Sequence, residues 1–256
     1  MTEEAFLAAL PNLAFAFALV LCRTGAAVAL LPGLGEAEPP PVLRAGLAFA
    51  LTLLLLPSLA HRVPPPVTGW GSAGMVAAEL LTGLTLGWLA RLPALALSMA
   101  GAVISATTGL TSVIQPDPAL GGGSSALARL LGLLAPTILL SSGLYALPLS
   151  ALAGSYDTIA PGALFDAGSL AQGAQEAVSA AFGVAIRLAA PFLISSLLLQ
   201  GVLGLLARLS PQLQAYTAAA PGNILGGLTI LALLAAPLID AWSESVGAAW
   251  SVLPGL

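Results

Sequence analysis

Ile114-Gln115-Pro116-Asp117-Pro118-Ala119-Leu120-Gly121-Gly122-Gly123-Ser124-Ser125 interrupts two of the most apolar runs in the chain. Pro116 and Pro118 forbid a continuous helix and push the residues before them toward extended backbone. Gly121, Gly122 and Gly123 then leave the backbone almost unrestrained. In a water-soluble protein such a stretch is an ordinary surface loop. In a chain this apolar it needs a home lined by protein or water, because lipid cannot satisfy irregular backbone. The stretch reads as a flexible stopper inside a pore.

The wider composition sets that context. Of 256 residues, 58% are hydrophobic and 7% charged, with a mean hydropathy of +1.00. A soluble domain carries about a quarter charged residues, so this is an integral membrane-type chain. All seven basic residues are arginines. A net charge of −4 and no basic cluster argue against nucleic-acid binding. The single cysteine, Cys22, excludes an intrachain disulfide and a thiolate metal site. His61 is the only histidine and sits beside Arg62 in a Pro-rich linker, which leaves no triad or His-based metal site. Glu3 and Glu4 occupy the place of a positive n-region, so the first apolar segment is expected to stay in the mature protein.

Working outward from the central loop, 94–114 precedes it and 126–149 follows it as apolar segments. Further upstream lie 7–31, 42–57 and 73–92. The second of these is short for a span, about 24 Å if helical. Downstream, 177–209 is too long for one ordinary span, 210–223 reads as a loop, and 224–250 is the last apolar run. Pro57, Pro93, Pro136, Pro148, Pro191 and Pro237 fall in or at the edge of these runs. Each frees a carbonyl four residues back, at about 3 kcal/mol in water. They predict Pro- and Gly-broken helices arranged as hairpins and re-entrant pieces, in one all-α domain over 1–256. Gly83 and Gly87, and Gly222 and Gly226, are spaced four apart, as close helix contact requires.

Little in the chain looks like chemistry. Gly121 to Ser125 resemble a phosphate loop only until the missing Gly-Lys-Ser/Thr. Asp117, held between two prolines, suits solvation or capping. Arg23, Glu79, Arg187 and Asp240 stand within apolar segments, where charge is costly and marks function or pairing. They either find partners in the protein interior or at a helix end, or form a proton or ion relay. No catalytic, cofactor or metal residue is assigned. A secondary transporter with broken helices is the alternative, and it predicts a paired intramembrane carboxylate or an inverted repeat. A membrane enzyme would want clustered acids, whereas the eleven acids here are scattered.

The order of several short motifs resembles the family of the flagellar export protein FliR and its type III secretion (SctT-like) relatives. The N-terminal part is Arg23-Thr24-Gly25, Leu31-Pro32, Pro41-Val42-Leu43-Arg44 and a run ending in Pro57. It continues at Glu79-Leu80-Leu81-Thr82-Gly83-Leu84-Thr85-Leu86-Gly87-Trp88, Ala100-Gly101, Gly109-Leu110 and Asp117-Pro118. It resumes at Ala190-Pro191-Phe192, Gly204 through Leu213 and Pro221. Two places depart from the family pattern. Thr107-Thr108 precede Gly109-Leu110 where a glutamine is usual, and Gly222-Asn223-Ile224 replace the usual Leu-Lys-Ile.

The resemblance implies a non-enzymatic export-gate subunit in the bacterial inner membrane, at the flagellar basal body. It implies a helical ring completed with FliP-like and FliQ-like partners, an export-switch (FlhB-like) protein nearby, and unfolded substrates in transit. No fused export-switch domain is expected after the last helix, and no cofactor. The family's plug loop maps onto Ile114, Gln115, Pro116, Asp117, Pro118, Leu120, Gly121, Gly122 and Gly123.

Overall fold

Backbone surrounded by apolar side chains has no solvent to bond with, so its hydrogen bonds close within the segment. The result is an all-α membrane-type chain. The computed structural model describes residues 3–35, 40–66, 70–110, 125–163, 167–209 and 215–255, with backbone alone at 3–9, 167 and 215–218. The expectations placed on 114–123 lie outside these residues. The described helices are α1 (Glu3–Leu30), α2 (Pro41–Leu59), α3 (Trp70–Thr108), α4 (Ala126–Ser141), α5 (Ala146–Thr158), α6 (Ala167–Leu209) and α7 (Ala215–Trp250).

Five of them, α1, α2, α3, α6 and α7, are long and apolar enough to cross a membrane. The bent pair α4 and α5, at 71°, makes up to six. α3 has 39 residues and α6 has 43. At 1.5 Å per residue these are about 58 and 64 Å long, against a hydrocarbon core of about 30 Å. Neither fits upright within the apolar layer.

The prolines do not break the helices. α3 runs through Pro93, where two segments, 73–92 and 94–114, were expected. α6 runs through Pro191, α7 through Pro221 and Pro237, and α4 through Pro136. The segment 215–223, expected as part of a loop, is the first stretch of α7. The physical reason is the reference state. The cost of an interior proline is small beside that of abandoning a whole turn of bonds where no water replaces them. Two tryptophans of α7 also bond to α3 around Pro93. Trp250 Nε1 donates to the Ala90 carbonyl at 2.9 Å, and Trp242 Nε1 donates to the Pro93 carbonyl at 3.2 Å. The 126–149 run, expected whole, instead bends at 142–145, where Gly143 takes φ +78°.

The chain forms two compact units, Met1–Leu92 with Leu139–Ala177 and Gly247–Leu256, and Pro93–Ile138 with Val178–Val246. In the first unit, Glu79, Thr82, Gly83, Leu86, Gly87 and Ala90 form a buried stripe at helical spacing on α3. A Cβ on Gly83 would collide with the Arg23 carbonyl oxygen, and one on Gly87 would lie 2.7 Å from the Ala27 carbonyl oxygen. Both glycines therefore sit against the α1 backbone. In the second unit, a Cβ on Gly101 would lie 2.9 Å from Ala128 Cα of α4, another close helix contact. Gly222 and Gly226 behave otherwise: a Cβ on either meets nothing within 4 Å. Among the described residues neither meets another helix, whereas Gly227 of α7 is pressed on the Thr108 side chain of α3.

Gly87→Leu is expected to overpack the α1–α3 contact and lower stability by about 1–3 kcal/mol, whereas Gly226→Ala is expected to leave stability unchanged or raise it by up to about 1 kcal/mol. Thermal unfolding midpoints of the purified variants in detergent check both. A Gly87→Leu midpoint equal to that of the parent chain would refute the contact.

Candidate functional site

The deepest polar feature of the first unit is made by α1, α3 and the end of α5. Arg23 of α1 and Glu79 of α3 are both 0% exposed. They lie 56 positions apart in sequence and meet side-on: Arg23 Nε donates to Glu79 Oε2 at 2.7 Å and Nη2 donates to Oε1 at 2.9 Å. Such a two-bond fork is the strong form of an arginine–carboxylate pair.

The C-terminal end of α5 satisfies what the pair leaves over. Arg23 Nη1 donates to Ser155 Oγ at 3.2 Å. Nη1 and Nη2 both reach the Ile159 carbonyl, at 3.3 and 3.2 Å. The guanidinium carbon lies 4.0 Å from the centre of the Tyr156 ring, over its face. Ser155, Tyr156 and Ile159 fall together because the first two are adjacent and the third is one turn on. Ile159 leaves the helix in extended geometry (φ −127°, ψ 103°), which turns its carbonyl inward. The negative end of the α5 dipole therefore points at the Arg23 cation.

The turn that follows completes the carboxylate. Ala160-Pro161-Gly162-Ala163 has proline at the second and glycine at the third position, with the Ala163 N–H donating to the Ala160 carbonyl at 3.0 Å. This is the sequence of a type II turn, which needs positive φ at its third residue, and Gly162 has φ +81°. The turn aims the Gly162 N–H at Glu79 Oε1, 2.6 Å away. Two buried charges cost several kcal/mol each to desolvate, a cost offset only by full pairing and hydrogen bonding. Here the pair has both.

A second polar contact ties α1 to α2. The Thr24 and Thr52 hydroxyls lie 2.7 Å apart, both fully buried. Each also lies within reach of the carbonyl four residues back in its own helix, Val20 for Thr24 at 2.9 Å and Ala48 for Thr52 at 2.7 Å. With one proton per hydroxyl, one of the two must divide its proton between a carbonyl and the other oxygen. The exposed Arg62–Asp157 pair at the surface belongs to the class that contributes about 0–1 kcal/mol.

Of the four charges singled out in apolar segments, the structure joins Arg23 and Glu79 and leaves Arg187 and Asp240 exposed and apart. Sequence reasoning missed Ser155, Tyr156, Ile159 and Gly162. The Pro161-Gly162 turn after an apolar helix was the available signal for the last. His61 is exposed at the end of α2, and Cys22 is half-buried in α1. Among the described residues no group of three or more His, Cys, Asp or Glu could hold a metal ion. The arrangement is a fixed polar joint between helices, with no free nucleophile or base at its centre.

Comparison with known proteins places the chain. The family described as "Bacterial export proteins, family 1" matches residues 14–249, and the chain belongs to it. Its relatives include the Flagellar biosynthetic protein FliR of Caulobacter vibrioides, 32% identical with 89% of this chain and 91% of that protein covered. The protein of the same name from Escherichia coli is 29% identical, with 88% and 85% covered. That of Bacillus subtilis is 28% identical, with 82% of each covered.

Removing one member of the Arg23–Glu79 pair strands a buried charge. Arg23→Met and Glu79→Leu are each expected to cost about 3–5 kcal/mol, and the double variant less than the larger single one. Arg23→Lys should fall near the severe end, because an ammonium cannot span the carboxylate, Ser155 and the Ile159 carbonyl together. A double-mutant cycle on unfolding in detergent measures this, and simple additivity would show that the two charges do not interact.

Proposed function

We propose that the chain is a non-enzymatic, multi-pass subunit of the flagellar protein-export apparatus in the bacterial inner membrane, at the basal body. The observation that carries this reading is the family match across 14–249, joined to relatives named FliR that align over most of both chains. The chain forms part of the export pore in a ring with FliP-like and FliQ-like membrane subunits, beside an FlhB-like export-switch protein, and unfolded export substrates pass through.

Two physical features support this reading, one bearing on the ring and one on where its moving part lies. α2 and α7 bury little of their span-forming windows within the chain, 17% and 11%, and their large apolar side chains, such as Leu54 and Leu233, face outward. Those faces call for lipid or neighbouring subunits. The buried Arg23–Glu79 joint makes α1, α3 and α5 a poor place for a moving part, since opening it would expose unpaired charge. Motion belongs elsewhere. Ile114, Gln115, Pro116, Asp117, Pro118, Leu120, Gly121, Gly122 and Gly123 have the apolar anchors and glycine slack for a plug that closes the channel, and the resemblance assigns them that role. An apolar constriction that excludes water stops ion leakage.

Purification of the chain from native membranes is expected to bring FliP-like and FliQ-like subunits with it. A lone, well-behaved monomer that moves a small solute would overturn the reading in favour of a transporter. Deleting 116–123 should leave assembly intact and raise ion conductance of membranes carrying the complex. Gly121→Pro with Gly123→Pro should lower export. A deletion that assembles and leaks no more than wild type removes the plug from the proposal.

A further inference from the structure

Arg187 lies in α6, within the candidate span Gly168–Leu209, whose most apolar 18-residue window has a mean hydropathy of 2.0. It is exposed, and among the described residues it has neither an ion pair nor a hydrogen bond. It sits about 30 Å from either end of the helix, near its middle. A charge in such a position is expensive unless it finds a partner, and none of the described residues pairs with it. Arg23, in a comparable span, is paired, forked and fully buried. Arg187 has the same need and no answer among the described residues.

Its surroundings describe what would answer it. Gly183, Arg187, Pro191 and Ile194 follow one another at helical spacing, and all four are exposed. A Cβ built on Gly183 meets nothing within 4 Å, so a second helix can come close to the α6 backbone one turn before the arginine. Pro191 lacks the N–H that would bond the Arg187 carbonyl. The same stripe thus offers a cationic fork and a carbonyl oxygen that lacks its ordinary partner one turn on, flanked by the exposed Phe182, Ile186 and Ile194.

We infer that this stripe of α6 is an interface for a transmembrane helix of a neighbouring, different subunit, and that the helix carries an Asp or Glu that pairs with Arg187. The recognising chemistry is a carboxylate in an apolar helix with small residues at the contact. The inference rests on the proposal that the chain is a subunit of a membrane assembly, and it adds the residue and the charge that define one joint. A lipid phosphate is the competing anion, and Gly183 argues against it: a headgroup needs no gap in the helix surface, whereas a helix does.

The test uses the full chain in its native membranes, with a photo-crosslinking residue in place of Ile186. The expected product is a covalent adduct with another membrane subunit, on a helix with an Asp or Glu within one turn of the cross-link. Arg187→Glu should reduce the adduct about tenfold, the loss of roughly 1.4 kcal/mol, and Arg187→Lys should keep most of it. Replacing the captured carboxylate by Lys should restore the adduct to Arg187→Glu. Should Arg187→Glu fail to accumulate, Arg187→Gln gives the reading, with a smaller expected loss. Adducts with lipid alone, capture of a helix without a carboxylate, or an undiminished adduct in the Gln or Glu variant would overturn the inference. A carboxylate-bearing adduct with a protein outside the export apparatus would instead sink the proposed function and leave the interface standing.

Discussion

Everything in the first unit is arranged so that two opposite charges can stay out of water. Arg23 and Glu79 are buried completely, and no single helix could have satisfied them. α3 supplies the carboxylate, α5 supplies a hydroxyl, an aromatic face and a carbonyl, and the following turn supplies an N–H. The surrounding small residues follow from this. Gly83 must lack a side chain because it faces the Arg23 carbonyl, which brings α1 and α3 close enough for the fork to close. Close backbones and a short ion pair are therefore one requirement met twice.

The fold class was legible because composition alone forces it: a chain with 7% charge and long apolar runs closes its backbone bonds as helices. The helix boundaries were less so. Pro93 and Pro191 look like breaks by the rules of water-exposed helices, yet α3 and α6 continue through them. The real bend at 142–145 depends on Gly143 in left-handed geometry, a residue with nothing to distinguish it among 28 glycines.

The candidate site was half legible. Charge inside an apolar run is a visible anomaly, and Arg23 and Glu79 stood out on that ground. That they meet each other, and that Arg187 and Asp240 do not, depends on how helices far apart in sequence pack. Gly83 with Gly87 and Gly222 with Gly226 show the same limit. The two pairs have the same spacing, but one lies on backbone and the other on open space. Spacing states that a close approach is possible, and the neighbour decides whether it happens.

The way α5 grips Arg23 has a consequence for genetics. Two of the bonds go to the Ile159 carbonyl, and the turn gives Glu79 the Gly162 N–H. These are atoms that nearly every amino acid carries. Half of the joint is therefore silent to substitution: exchanging the Ile159 side chain alters packing and leaves the carbonyl in place. Substitutions reach this half of the joint only by changing backbone shape, at Pro161 and Gly162. A scan that truncates one side chain at a time would report Arg23 and Glu79 and pass over the main chain that holds them.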